Sequence, residues 1–176
     1  MKSMIAIAEE KIEDADDVRE VILKAFGQPA EANIVDRLRA NCPKTKMLSL
    51  VARDGEAVVG HILFSPAAIK GQAGTVVGMG LAPLAVLPER QRQGIGSLLV
   101  RRGLKMLKER GCPFVIVLGH PDYYPRFGFE PASAHGIASQ WDEVPDEAFM
   151  ILIMDESVMK SAAGVARYRD EFDEAM

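Results

Sequence analysis

The sequence predicts an α/β (α+β) fold with a mixed sheet, and three features predict it. Residues 84–118 run through an aliphatic strand, a polar glycine turn, an amphipathic helix and a second aliphatic strand, a βαβ unit whose strands lie parallel. Asp54-Gly55 and the Gly71–Gly74 stretch each place turn residues between a pair of apolar runs, which predicts hairpins. Hydrophobic residues make up 48% of the 176 and charged residues 26%, ordinary globular composition with enough apolar material for a sizeable core.

Met4 to Ala8 reads as the first strand. Asp14 stands at the N-cap of a helix running to about Phe26, with Val18, Val21, Ile22, Ala25 and Phe26 at helical spacing and Gly27 as its stop. A second helix covers Glu31 to Ala40 and turns Ile34, Val35 and Leu38 inward. Met47 to Arg53 is a strand, and Glu56 to Phe64 returns past Pro66 towards Ile69. Thr75 to Val86 follows, interrupted by Gly78, Gly80 and Pro83, which predicts a bulge or a close backbone approach.

The helix from Gly94 to Arg110 is the clearest element. Ile95, Leu99, Val100, Gly103, Leu104, Met106 and Leu107 form one stripe, opposite Arg101, Arg102, Lys105, Lys108 and Glu109. Gly96 and Gly103 let the stripe lie close on a sheet, and Gly111 ends the helix. Phe114 to Leu118 is apolar throughout, as for a strand buried on both faces. Pro121 to Arg126 reads as a short helix and Phe127 to Glu130 as the start of a strand. Pro131 to Asp146 holds few core signals and reads as a loop. Glu147 to Met154 is a late strand, Val165 to Tyr168 a terminal one, and Asp170 to Met176 an acidic, frayed end.

A net charge of −4 lacks the basic excess of a nucleic-acid binder. No apolar run approaches ~18 residues, so no membrane partner or span is expected. Residues 1–10 hold an apolar patch too short and too soon charged for a signal peptide. Cys42 and Cys112 make no disulfide framework, which fits a reducing, cytoplasmic setting. No His/Cys/Asp cluster has metal-ligand spacing.

The stretch Leu84 to Ser97 reads Leu-Ala-Val-Leu-Pro-Glu-Arg-Gln-Arg-Gln-Gly-Ile-Gly-Ser. A strand ends at a proline, a polar turn follows, and two glycines open a helix. Such a turn gathers backbone N–H groups at a helix N-terminus, where a phosphate binds. The dinucleotide fingerprint fails because position 99 is Leu, and no Gly-Lys-Ser or Gly-Lys-Thr supports a P-loop. What remains is a pyrophosphate cradle of amides from about Arg92 to Ser97, with Arg90 and Arg92 adding positive charge, or a turn that only packs the helix on the sheet.

Leu84-Ala85-Val86 followed by Gln91-x-x-Gly94-x-Gly96 resembles motif A of the GNAT N-acetyltransferase superfamily, and Tyr123-Tyr124-Pro125-Arg126-Phe127-Gly128-Phe129 resembles its motif B. The similarity covers roughly residues 3 to 155, and the tail resembles that of a bacterial branch with a C-terminal extension. It implies a GNAT domain over 1–155 and an extension over 156–176. The implied fold is a twisted, mostly antiparallel sheet of about six to seven strands with a splayed parallel pair, flanked by about four helices. The implied activity moves an acetyl group from acetyl-CoA, a cosubstrate, to a primary amine by direct transfer. The pantetheine arm would pair with the backbone of Leu84, Ala85 and Val86, the pyrophosphate would meet the amides of Arg92, Gln93, Gly94, Ile95, Gly96 and Ser97, and Gln91 of the motif would also belong to the cofactor site. The Val86 N–H would polarise the thioester carbonyl.

Tyr124 matches the family tyrosine that protonates the departing thiolate, and packing within motif B is its other reading. A phenol near pKa ~10 can donate to a thiolate whose acid lies near ~8.5. Tyr123 packs or lines the acceptor pocket; Phe127 and Phe129 belong to the core. The family's strand acid is missing, since Thr75 to Leu84 contains none. The base is then reached through water or is His120, Asp122 or His61, and both histidines also read as structural. His135 carries no chemistry, and neither cysteine has a base nearby in sequence for an acyl-enzyme. Residues 28–45 and 131–146 shape the acceptor pocket, with Trp141 as a lining residue or a loop anchor. A CoA-binding regulatory module without turnover is the alternative function, and a homodimer is an open expectation.

Overall fold

A computed structural model describes residues 4–175 of the chain. The elements are β1 (Ile5–Glu9), α1 (Ala15–Phe26), α2 (Ala30–Asn41), β2 (Leu48–Asp54), β3 (Ala57–Gly71), β4 (Gly74–Val86), α3 (Ile95–Glu109), β5 (Phe114–Leu118), β6 (Glu130–Pro131), β7 (Ile137–Ser139), β8 (Phe149–Ile153), α4 (Glu156–Met159) and β9 (Gly164–Arg167). The strands form one nine-stranded sheet in the order β1-β2-β3-β4-β5-β8-β6, with β9 pairing β3 and β7. The β1–β2, β2–β3, β3–β9, β5–β8 and β6–β8 pairs are antiparallel. The β4–β5 pair is parallel, as the βαβ unit requires, and so is β7–β9. Nine strands exceed the expected six to seven because β6, β7 and β9 are only two to four residues long. No helix among the described residues is long and apolar enough to cross a membrane.

The chain divides into two compact units, 4–64 with Pro83–Lys105 and 65–82 with 106–174. In the first, α1 and α2 bury Val18, Val21, Ile22, Ile34, Val35 and Leu38. Each such side chain contributes about 1.5–3 kcal/mol by leaving water. Gly27 ends α1 at φ +69°, its N–H donating to the Leu23 carbonyl. Asp14 stands where a cap was expected but makes no side-chain cap. Its carboxylate accepts from the Lys11 N–H at 2.8 Å and from Arg53 of β2. The Arg53 guanidinium holds the Asp14 carboxyl below its ordinary range. Helix α3 lies close on β3: a Cβ at Gly103 would come within 2.3 Å of the Phe64 ring, and one at Gly60 within 3.1 Å of Leu99.

The first unit also encloses His61, 0% exposed. Ser49 Oγ donates to Glu10 Oε2 at 2.9 Å, and Glu10 pairs with Arg39. With its one proton directed there, Ser49 Oγ accepts from His61 Nε2 at 2.8 Å, which assigns the Nε2–H tautomer. Nδ1 has no hydrogen-bond partner. Burial, helped by the Arg39 charge, lowers the His61 pKa to about 3.

In the second unit β5 is buried along Phe114–Val117. The close approach expected at β4 is present: a Cβ at Gly78 would stand 2.6 Å from the Phe114 carbonyl oxygen, and one at Gly80 would stand 2.4 Å from the Tyr168 ring. Two expectations need correction. The stretch 131–146 is not all loop, since it holds a 3₁₀ turn over Ala132–His135 and strand β7. A three-residue strand has too few positions to show alternation, and its partner β9 lies far along the chain. The end of the chain is not frayed where it is described: Asp170–Ala175 is 3₁₀, and Phe172 is buried with its ring 4.8 Å from that of Tyr168. Met176 lies outside the described residues.

The buried imidazole sets a pH dependence. Unfolded His61 takes up a proton near 6.5 while the folded residue resists until about 3, so acid favours unfolding across that interval. Urea titrations between pH 7 and 5 are expected to show this one group removing stability at about 1.4 kcal/mol per pH unit below its unfolded pKa. His61→Gln, which cannot titrate, should flatten the slope by that amount, and equal slopes would remove the assignment.

Candidate active site

The glycine turn belongs to the first unit. After β4, Pro88–Arg90 makes a 3₁₀ turn and Gln91 is extended. Arg92 then adopts φ +64° and Gly94 φ +84°. Among the described residues Arg92 is the sole non-glycine with positive φ. A side chain held there costs about 1–2 kcal/mol, a strain characteristic of ligand-binding loops. Left-handed residues set into a turn point neighbouring amides to one side and make an anion-binding concavity. The first rung of α3 runs from the Leu98 N–H to the Gly94 carbonyl at 3.1 Å, so the amides of 92–96 precede the helix ladder. Residues 91–94 are exposed, Gly96 and Ser97 half-buried, and Ile95 is buried and anchors the turn.

The turn's side chains brace it. Gln91 Nε2 donates to the Val86 carbonyl at 3.0 Å, and Gln93 Nε2 to the Glu89 carbonyl at 3.4 Å. Arg90 Nη1 pairs with Asp54 at 2.8 Å and Nε donates to Gln93 Oε1 at 3.3 Å. The positive charge expected from Arg90 is therefore matched by an acid that sequence distance concealed, and Arg92 is the exposed cation of the turn. Ahead of it, Ala85 is buried, Leu84 and Val86 are half-buried, and the Leu87 N–H donates to the Val59 carbonyl at 2.9 Å. The β4–β5 ladder pairs Met79, Gly80 and Leu81 with Val115, Ile116 and Val117. Leu84, Ala85 and Val86 lie beyond its last pair.

Tyr124 belongs to the second unit, at the start of a 3₁₀ turn over Tyr124–Phe127, and is 8% exposed. Its ring meets Tyr123 edge-on at 5.1 Å and Phe129 at 5.7 Å. Burial, with a smaller contribution from Tyr123, raises its phenol well above the ordinary tyrosine range. The hydroxyl therefore stays protonated throughout neutral pH. Gly119 makes room for the ring, since a Cβ there would stand 2.4 Å from it. The sequence reading missed Gly119; its signal was a glycine directly after a buried strand. Tyr123 packs under the Arg126 guanidinium, 4.6 Å above its ring. Phe129 is core and Phe127 is half-buried.

Of the candidate bases, His120 and Asp122 are exposed, and the His120 carbonyl accepts the N–H groups of Tyr123 and Tyr124. His61 is excluded by complete burial in the first unit. His135 pairs with Glu130 at 2.8 Å. Burial raises the Cys112 thiol, which faces the Phe114 carbonyl at 3.1 Å, and Cys42 is buried; neither is a poised nucleophile. Trp141 is a loop anchor. Its ring stacks on Tyr168 at 5.7 Å and its Nε1 donates to Asp173 at 3.3 Å.

A sequence profile of the GNAT acetyltransferase domain matches residues 6–132. The chain belongs to the GNAT acetyltransferase family. Among its GNAT relatives, N-acetyltransferase YjhQ of Escherichia coli K12 is 48% identical over 120 residues, 68% of this chain and 66% of that protein. The crystal structure of E. coli YhbS in complex with CoA is 33% identical, with a TM-score of 0.90 over 98% of this chain and 94% of that one. A GNAT acetyltransferase of Brucella melitensis in complex with acetyl-CoA is 35% identical, with a TM-score of 0.78 over 98% of this chain and all of that one. The GNAT sheet expected from the two motifs, mostly antiparallel with a parallel β4–β5 pair, is the sheet observed.

Gly119→Ala should lower stability by about 1–3 kcal/mol, as overpacking does. In a Tyr124→Ala background the same change should be nearly neutral in chemical denaturation. An equal cost in both backgrounds would show that the ring is not what the methyl group meets.

Proposed function

We propose that the chain transfers an acetyl group from acetyl-CoA to a primary amine by direct transfer in a ternary complex. One observation carries this reading: an exposed turn with left-handed residues at Arg92 and Gly94, one of them strained, leads directly into the N-terminus of α3. The CoA and acetyl-CoA held by the similar proteins support it. Acetyl-CoA supplies an activated acetyl thioester.

The amides from Arg92 to Ser97 bind the pyrophosphate, aided by the α3 dipole and the exposed Arg92. The backbone of Leu84, Ala85 and Val86 takes the pantetheine arm as an added strand. The Val86 N–H donates to the thioester carbonyl, while Gln91 holds the following peptide through the Val86 carbonyl. As the amine nitrogen bonds to the acetyl carbon and the C–S bond breaks, the Tyr124 hydroxyl gives its proton to the thiolate. The ammonium proton leaves to water or to the exposed His120 or Asp122. A raised Tyr124 pKa keeps the acid loaded, at the cost of a less favourable donation.

Calorimetry should detect CoA binding, and Gly94→Asp, which adds a carboxylate and a strained backbone to the turn, should weaken it at least ~100-fold. An amine panel with acetyl-CoA should release free thiol. Tyr124→Phe should cut that rate by about 10²-fold near neutral pH; unchanged turnover removes Tyr124 from the acid role. Tight CoA binding with no product from any amine would favour a binding module instead.

A further inference from the structure

The residue directly after strand β9 places one aromatic side chain in the second unit that neither motif includes. Tyr168 is 4% exposed, and its ring lies over the bare backbone of Gly80. Its hydroxyl donates to the Leu81 carbonyl of β4 at 3.1 Å, with the Ile116 carbonyl of β5 a second, longer acceptor at 3.4 Å. A single group bonded to a carbonyl on each strand is interposed where the two strands face each other. The β4–β5 ladder has its last pair at Leu81–Val117, at that same place.

The ring is held from every side. Trp141 stacks on it, Phe172 tilts against it at 4.8 Å, and the Tyr168 N–H donates to Gln140 Oε1 at 2.6 Å. Gln140 and Trp141 both donate to Asp173. β9 itself pairs with β3 and β7.

We propose that Tyr168 is a positioning residue for the thioester arm of acetyl-CoA, acting as a spacer that ends the β4–β5 ladder at Leu81 and leaves the following residues of β4 without a β5 partner. The inference rests on the acetyl-CoA reading above. The hydroxyl gives its one proton to the Leu81 carbonyl, which would otherwise seek an N–H of β5 across the gap. Without it, β4 gains from pairing further with β5, and the edge offered by Leu84–Val86 is lost to the arm.

Tyr168→Phe keeps the ring and removes the spacer, and the emission of Trp141, the only tryptophan, reports whether the ring is still seated. Calorimetry should then show CoA binding weakened about 10-fold, the worth of one hydrogen bond. Amide exchange with saturating CoA localises the loss. In the wild type CoA should slow exchange in both 84–86 and 92–97; in Tyr168→Phe the turn should stay protected and 84–86 should not. Gly80→Ala, which pushes the ring from beneath, should give the same split. Equal affinity and protection in wild type and Tyr168→Phe, or loss of protection at both segments, would overturn the proposal. Absence of CoA protection in the wild type would instead overturn the cofactor reading.

Discussion

Strand β4 has to carry aromatic rings directly on its main chain. At Gly78 the Phe114 ring and carbonyl occupy the space of a side chain, and at Gly80 the Tyr168 ring does. Any Cβ at either position falls inside van der Waals contact, so these glycines answer a packing demand that turn geometry does not impose. Much of the second unit is arranged around the consequence. With Tyr168 seated on Gly80, Trp141 and Phe172 close over it and Gln140 holds its backbone. The 3₁₀ end of the chain and the segment after β7 are thereby fixed to each other through Asp173.

The first unit uses charge in a different way. Arg53 is matched by Asp14, Arg39 by Glu10, and Arg90 by Asp54. Each pair joins segments distant in sequence, and at least one partner in each is largely shielded from solvent, so screening weakens them less than surface pairs. For the glycine turn the outcome is specific. Its nearest arginine is already bonded, and the attraction left for a phosphate comes from main-chain amides, the α3 dipole and Arg92. The Glu10–Ser49–His61 chain is the buried extension of the Arg39 pair, and it keeps one histidine neutral inside the core.

Local signals were legible wherever a run was long enough to show a period or a stop. α1, α2, α3, β5 and the two hairpins fall within a residue or two of their expected limits. The stop at Gly27 and the turn at Gly94 both have the positive φ that made glycine informative there. β7 and the 3₁₀ end were not legible, because each is too short for periodicity and each is held by partners far away in the chain. In the candidate site the residues of the two motifs could be named in advance. The partners that place them, Asp54 on Arg90, Gly119 under Tyr124 and Tyr168 on Gly80, could not.

Sequence alone determined the βαβ unit, the glycine turn ahead of α3 and the tyrosine motif, and the two motifs carry the resemblance to the GNAT acetyltransferase family. These depend on neighbouring residues, and backbone preference, helical spacing and turn chemistry act over a few positions. Tertiary structure alone decided that His61 is a buried neutral group, that Arg90 is already paired, and that a tyrosine just after the last strand stands at the end of the β4–β5 ladder. Burial, ion pairing and interposition are properties of what surrounds a residue in space, and the order of the chain does not contain that distance.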